Sequence, residues 1–574
     1  MTRKTHRPKL LIIGIDGATF DLILPWANSG QLPVFRRLLE GGVHGRLISS
    51  VPPVTAPAWT SFMTGKNPGK HGLYHFIEPQ PPGYGIRYSN RLSCRSESMW
   101  QILCRAGLSV GVINVPMTYP PESVNGYMIS GMDAPEDDRR ITSPPELYHE
   151  LEAKFGRVNY QVRHLGYLKS ERQRDELLKT LDQINLHYLS MTEYLLETHP
   201  ADVVMVVFTS TDTVQHFFWH YMDPKHPQYD PKQYADAVLN VYKSIDRVIG
   251  KLREKLPEEA SLMLMSDHGF GPTSARSISM NRWLSQIGLL KTKPRSDRGI
   301  LGFVMKKADA ILRTTLTPRH KAKLAQWFPR LRKKWEYNFT GLANIDWKNT
   351  RAYCHEILFF PTGIRINLRD TYPSGIVSSG KEYNDLIAFL RMKLYELKDP
   401  VTGRQLIRKV CHKDEVYHGP YLSSAPDLIP VWWEGINFST AVSFPENKNK
   451  DVIHYSGNRS VGTGEWSGTH AAYGILLLHG NLFHNGITLE QPEITDLAPT
   501  LLHGLGIPVP EDMDGRVLSA AFLSDRDILT QKARSQAGAW ERGEAGAWER
   551  GENTTYSDED SAKIAERLRA LGYM

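Results

Sequence analysis

LLIIGIDG, residues 10–17, is an apolar run that ends in an acid, and the same device returns as VVMVVFTSTD at 203–212 and SLMLMSDH at 261–268. Short apolar runs bounded by polar turn signals read as strands buried on both faces. An amphipathic stretch, LLKTLDQINLHYLSMTEYLLET at 177–198, precedes the second run, and the first third alternates strand-like and helix-like segments. That order predicts parallel βαβ units. The expected fold class is α/β, a doubly wound, mostly parallel sheet with helices on both faces and an inserted cap region. In open sheets of this kind ligands bind beyond the carboxyl ends of the strands. Asp16, Asp212, Asp267 and His268 are therefore expected along one edge, sharing a site.

The chain has 574 residues, 41% hydrophobic and 23% charged, the composition of an ordinary globular protein. Its longest apolar runs are strand-length, and LLIIGID is too short for a signal-peptide core. Four cysteines without a CxxC pair predict a reduced, cytoplasmic protein. The net charge of +7 is unevenly spread. Between Lys291 and Lys334 fourteen Lys and Arg face only Asp297 and Asp309, a local charge of about +12 that leaves the remainder acidic by about five.

PPVTAPAWTSFMTG, residues 52–65, brackets Thr55 with prolines. Pro57 at the first helical position predicts a helix start there, which puts Thr55 where free backbone N–H groups converge to favour an anion. The simpler alternative is that Thr55 only caps the helix. His216 follows Asp212 by four residues, one helical turn, and GEWSGTHAAYG supplies His470 in a Gly-rich loop. Asp and His without thiolates suit zinc, with manganese as the alternative divalent ion. Seven candidate ligands exceed one tetrahedral ion, so two ions are expected. Asp16, Asp267 and His268 with Thr55 would surround one, and Asp212, His216 and His470 the other. Such a pair clamps a phosphoryl group, and a hydroxyl beside it ionises near neutral pH and attacks while the Ala56 N–H faces the phosphate oxygens.

GIDG, TAPAWTSFMTG, TDTVQH, SDHGFG, THAAYG and TDLAPTLLHGLGIPVPEDMDG occur in the order found in the alkaline phosphatase superfamily. More narrowly the chain resembles type I phosphodiesterase/nucleotide pyrophosphatases and related bacterial phosphohydrolases and phosphomutases. The resemblance covers about residues 8–290 and 350–520 and implies an alkaline phosphatase-like sheet with a phosphothreonine intermediate on Thr55. The HxxxH spacing of HFFWH leaves His216 and His220 both open as ligands; the resemblance picks His216. Two departures stand out. Nucleotide pyrophosphatases follow the nucleophile with Phe-Pro-Asn, whereas this chain has Ala56-Pro57-Ala58, so their substrate choice does not carry over. Sulfatases need a Cys or Ser that Thr55 does not supply.

The implied activity is a two-metal phosphohydrolase, most simply a phosphodiesterase acting on a phosphate-ester small molecule or a lipid-like substrate. A cofactor-independent phosphomutase and a non-catalytic metal-binding scaffold are the alternatives. TGKNPGKHG at 64–72 is one residue short of a P-loop and lacks its Ser or Thr, and Phe217 stands where a zincin needs Glu. Asn114, in NVPMTYPP, is a candidate pocket residue, with a structural turn as the alternative. The expected organisation is a core at 1–290, a basic helical insertion at 291–345, a cap at 346–450, the returning core at 451–525, and a tail at 526–574 with AGAWERGE duplicated. The basic insertion reads first as a solvated, salt-bridged surface, second as an attractor of an anionic substrate, and third, through Trp327, Phe328 and Trp335 among basic residues, as a contact for anionic membrane. No nucleic-acid module is recognisable.

Overall fold

The computed structural model describes residues 8–80, 83–135, 138–162, 168, 170–273, 276–293, 342–357, 360–432, 437–438, 452–455, 466–533 and a few positions between 556 and 565. Most of the expected basic helical insertion, and the AGAWERGE duplication, lie outside the described residues.

The three acid-terminated runs form adjacent strands. Label the sheet strands β1 (Leu10–Ile15), β2 (Val43–Ile48), β3 (Val110–Val115), β4 (Gly126–Ser130), β5 (Thr142–Ser143), β6 (Val203–Phe208), β7 (Ser261–Met265), β8 (Tyr473–His479) and β9 (Ile487–Thr488). Their order across the sheet is β9-β2-β8-β7-β1-β6-β3-β4-β5. β7, β1, β6, β3 and β4 run parallel. β8 is antiparallel to both its neighbours. β1, β3, β6 and β7 are buried at every residue, as expected where helices cover both faces.

Helix α1 (Thr55–Thr64) packs against β1 through Trp59. Gly14 makes that approach possible: a Cβ there would lie 2.6 Å from Trp59 Cη2 and 2.8 Å from Val207 Cγ2. Gly14→Ala is therefore expected to lower the unfolding free energy by about 1–3 kcal/mol through overpacking. Thermal denaturation checks this, and an unchanged melting temperature would mean that the indole has room to yield.

α1 begins at Thr55, two residues before the expected start at Pro57. Pro57 is accommodated in the first turn because N–H groups there have no intrahelical acceptor, so the one that proline lacks is not missed. The cap region has its own apolar cluster. A four-stranded sheet, in the order Ala352–Ile357, Phe360–Ile366, Leu428–Trp432, Ile407–His412, carries the helix Lys381–Tyr395. Met280, Trp283 and Leu284 belong to this cluster, and the Asn281 side chain exchanges two 2.8 Å hydrogen bonds with the backbone of Cys354. The helix Met280–Gln286 thus buries its apolar face in the cluster of the cap, although its residues fall within the stretch 1–290 expected for the core.

Candidate metal and phosphoryl-transfer site

Three strand ends, a short strand and two helix N-termini converge. Asp16 follows β1, Asp267 and His268 follow β7, and Asp212 lies in the first turn of helix α2 (Ser210–Met222) just after β6. His470 stands on the strand Gly468–Ala471, which pairs antiparallel with Gly269–Pro272 and so carries it beside His268. The loops are laced together. Thr211 Oγ1 donates to the Asp16 carbonyl (2.6 Å), Gln215 Nε2 to the Gly17 carbonyl (2.9 Å), and Gly17 N–H to Asp267 Oδ1 (3.3 Å). Gly17 has φ of +66°, and a Cβ there would press on Phe270 and the Asp212 backbone, so glycine is the residue that fits.

All seven candidate ligands come together. His268 Nε2 lies 3.2 Å from Asp267 Oδ2 and 3.6 Å from Asp16 Oδ1. Asp212 Oδ1 lies 3.3 Å from His216 Nε2 and 3.2 Å from His470 Nε2, and the two imidazole Nε2 atoms are 3.2 Å apart. The ligand atoms of Asp16, Asp267 and His268 fall within 4.8 Å of one another, as do those of Asp212, His268 and His470. His268 stands between the two groups, its ring stacked 3.5 Å from that of His470. Thr55 Oγ1 is 3.3 Å from His268 Nε2. The helix cap is Val54, with no side-chain capping bond, so Thr55 is not the cap.

The donor set fits divalent cations. Each histidine Nδ1 sits against a backbone carbonyl: His216 with Gly468 (3.0 Å), His268 with Gly269 (3.1 Å), His470 with Pro53 (3.0 Å). These contacts assign the proton to Nδ1 and turn the Nε2 lone pairs inward, the usual support for metal-binding imidazoles. Among the described residues, nothing donates a hydrogen bond to either buried Asp16 oxygen or to Asp267 Oδ2. Burial, then the charges of Asp267 and Asp212, raises the Asp16 pKa well above the carboxylate range. Burial likewise raises Asp267, although His268 opposes it. Burial works against ionisation of Asp212 too, but His216 and His470 outweigh it and hold that carboxyl low. Burial depresses His268 to about 4 and also lowers His470. Carboxylates crowded in low dielectric with inward imidazole lone pairs are a cavity for positive charge.

His220 is not part of the cluster: its backbone N–H donates to Ser467 Oγ (3.2 Å) and its ring faces His226, 6.0 Å away. Asn114, with φ of 59°, donates to the Val207 carbonyl (2.8 Å) and accepts from Gln161 Nε2 (2.7 Å). Neither partner is in the cluster, so its amide braces β3 against β6, as the structural-turn alternative holds, and the pocket role is not supported. The lysines of TGKNPGKHG are ion-paired, Lys66 with Asp512 and Lys70 with Asp514. Sequence reasoning missed the carbonyls of Pro53, Gly468 and Gly269, which carry no side-chain signal. It also missed Tyr417, whose hydroxyl donates to the Val51 carbonyl (2.5 Å) and so ties the cap to the loop entering α1.

Residues 10–341 match the family of type I phosphodiesterases/nucleotide pyrophosphatases. The chain belongs to that family. Membership places this phosphodiesterase-family chain in the alkaline phosphatase superfamily and makes it a phosphoester hydrolase. Among solved structures it is similar to phosphonoacetate hydrolase from Sinorhizobium meliloti 1021, at 13% identity over 87% of this chain and 95% of that one, with a TM-score of 0.51. Murine ectonucleotide pyrophosphatase/phosphodiesterase 5 is 14% identical over 87% and 95% of the two chains, TM-score 0.45. Alkaline phosphatase PafA is 16% identical over 90% and 99%, TM-score 0.47. The first of these likenesses is one of fold. A comparison with curated proteins gave no match.

Proposed function

We propose that this phosphoester hydrolase is a two-metal phosphodiesterase that works through a covalent phosphothreonine on Thr55. The observation that carries the reading is the Thr55 hydroxyl at the N-terminus of α1, 3.3 Å from the imidazole that stands between the two ligand groups. Asp16, Asp267 and His268, with Thr55, would hold one divalent ion, and Asp212, His216 and His470 the other; zinc suits the Asp/His donor set. When bound, such ions supply Lewis-acid polarisation of the phosphoryl group and favour ionisation of the hydroxyl beside them.

The chain's own residues do the rest. Thr55 Oγ1, once its proton is lost, forms the bond to phosphorus as the ester oxygen departs and takes a proton from solvent. Water then cleaves the phosphothreonine and restores the hydroxyl. The first-turn N–H of Ala56 has no intrahelical acceptor, and the positive end of the α1 dipole adds to it, so both favour charge building on the non-bridging oxygens. The four free cysteines support the cytoplasmic placement. Among the described residues no helix is long and apolar enough to cross a membrane.

The test is hydrolysis of bis-p-nitrophenyl phosphate against p-nitrophenyl phosphate, with metal analysis of the purified protein. Diester preference with about two ions per chain is expected; preference for the monoester would overturn the diesterase reading. Tyr417 gives a further prediction. Its hydroxyl holds Val51, at the start of the loop whose Pro53 carbonyl orients His470 and which ends at Thr55. Tyr417→Phe removes one hydrogen bond, about 1 kcal/mol, and is expected to lower kcat about five- to tenfold with KM little changed. A fall in melting temperature with unaltered kcat would show that Tyr417 serves the cap alone.

A further inference from the structure

Gln215 stands on α2 between two candidate ligands, three residues after Asp212 and one before His216. It is fully buried, and every polar position of its carboxamide is engaged. One Nε2 proton goes to the Gly17 carbonyl (2.9 Å) and the other to the Thr211 carbonyl (2.9 Å), one turn back on α2. Oε1 accepts from the Tyr242 hydroxyl (3.2 Å). Burying a carboxamide is costly unless its donors and acceptor are matched, so this one is confined to a single orientation. Tyr242 comes from the helix Ala237–Glu254 and is itself fully buried, its ring edge-on to Trp26 at 5.2 Å. Its hydroxyl also accepts from the Thr19 N–H (3.4 Å), which leaves the hydroxyl proton for Gln215.

The Gly17 residue joins the two ligand groups. Its carbonyl receives Gln215, from the helix that carries Asp212 and His216, and its N–H donates to Asp267 Oδ1 (3.3 Å) in the other group. Asp267 Oδ2 is thereby left turned to His268 Nε2, 3.2 Å away. Thr211 Oγ1 ties the same helix to the Asp16 carbonyl (2.6 Å). A hydrogen-bonded chain thus runs from Tyr242 through Gln215 and Gly17 to Asp267, and it crosses from one group to the other without passing through either candidate ion position.

We propose that Gln215, oriented by Tyr242, is a positioning residue that fixes the separation of the two metal-binding groups, an inference that rests on the two-ion reading. An ion bound at one group then finds the other group already held at the distance the second ion needs. Hydrogen-bond partners that orient metal ligands change metal affinity by about 10- to 100-fold. Because both ions must meet one phosphoryl group, the spacing also enters the rate.

The full chain, stripped of metal by chelation, would be titrated with zinc and followed by calorimetry, with thermal denaturation of the metal-free protein alongside. Wild type is expected to take up about two ions per chain. Gln215→Met keeps the length of the side chain and removes its donors; it is expected to bind the first ion within about threefold of wild type and the second at least about tenfold more weakly. With both positions filled by excess zinc, its kcat for bis-p-nitrophenyl phosphate should remain about tenfold low while KM stays within about threefold. Tyr242→Phe keeps the ring against Trp26 and removes the orienting hydroxyl, so it should weaken the second step about three- to fivefold. That variant carries the comparison if Gln215→Met does not fold. Two binding steps unchanged in the folded variants, even with a lower melting temperature, would overturn the positioning role and leave the two-ion reading standing. A wild-type protein that takes up fewer than two ions would overturn both.

Discussion

Thr55→Ala is expected to reduce hydrolysis of bis-p-nitrophenyl phosphate by at least about a thousandfold, or about 4 kcal/mol of transition-state stabilisation. The expectation rests on position. Thr55 is fully buried at the first residue of α1, its hydroxyl turned to His268 and not used as the helix cap. Removing it takes away the attacking oxygen, and with it the covalent route, while leaving the cap and the helix packing intact. The variant should therefore fold, with stability within about 1 kcal/mol of wild type, and keep its metal. Thr55→Ser retains the hydroxyl and should retain activity to within about tenfold, since the loss is confined to rotamer restriction by the β-branch. Acid quenching during turnover and peptide mapping should find a phosphoryl group on Thr55 in wild type and none in Thr55→Ala. A Thr55→Ala protein that still cleaves the diester at the wild-type rate would exclude the nucleophile assignment.

The reach of the sequence follows from what a residue pattern encodes. LLIIGID, VVMVVF and SLMLM are buried on both faces, and that requirement alone specified adjacent parallel strands and the edge on which their terminal acids would meet. Asp16, Asp212, Asp267 and His268 were legible for that reason. His470 depended on pairing between segments some 200 residues apart, Phe270 opposite His470, which periodicity does not report; only the order of motifs pointed to it. The start of α1 was misplaced because Pro57 marks the first turn without fixing which residue of it comes first. Asn114 shows the opposite limit. A polar residue at a strand end looks like a pocket residue, but its left-handed backbone and two amide contacts make it a brace.

Stripping the metal is expected to abolish diester hydrolysis and to lower the melting temperature, and the size of that fall should depend on pH in a stated direction. The Asp16 and Asp267 carboxyls have raised folded pKa values, chiefly from burial. In the metal-free fold they hold protons more tightly than in the unfolded chain. Their contribution to stability is thus fully present below the unfolded carboxyl range and is lost as pH rises through the folded values. A cation reverses this, because it takes the ionised form and displaces those protons. His268, depressed to about 4, competes with the metal only in more acidic solution. The stabilisation by added metal, about 2.7 kcal/mol at a hundredfold excess over Kd, should accordingly be larger at pH 8 than at pH 5. Thermal shift with and without added zinc or manganese across that range measures it, and proton release measured in two buffers of different ionisation enthalpy checks the cause. A metal-induced shift that is flat, or greatest at pH 5, would mean that the buried carboxyls are not where the cation binds. Asp16→Asn provides the matched control: it removes one titrating proton and one anionic ligand together, so it should lower affinity and flatten the pH dependence in the same protein.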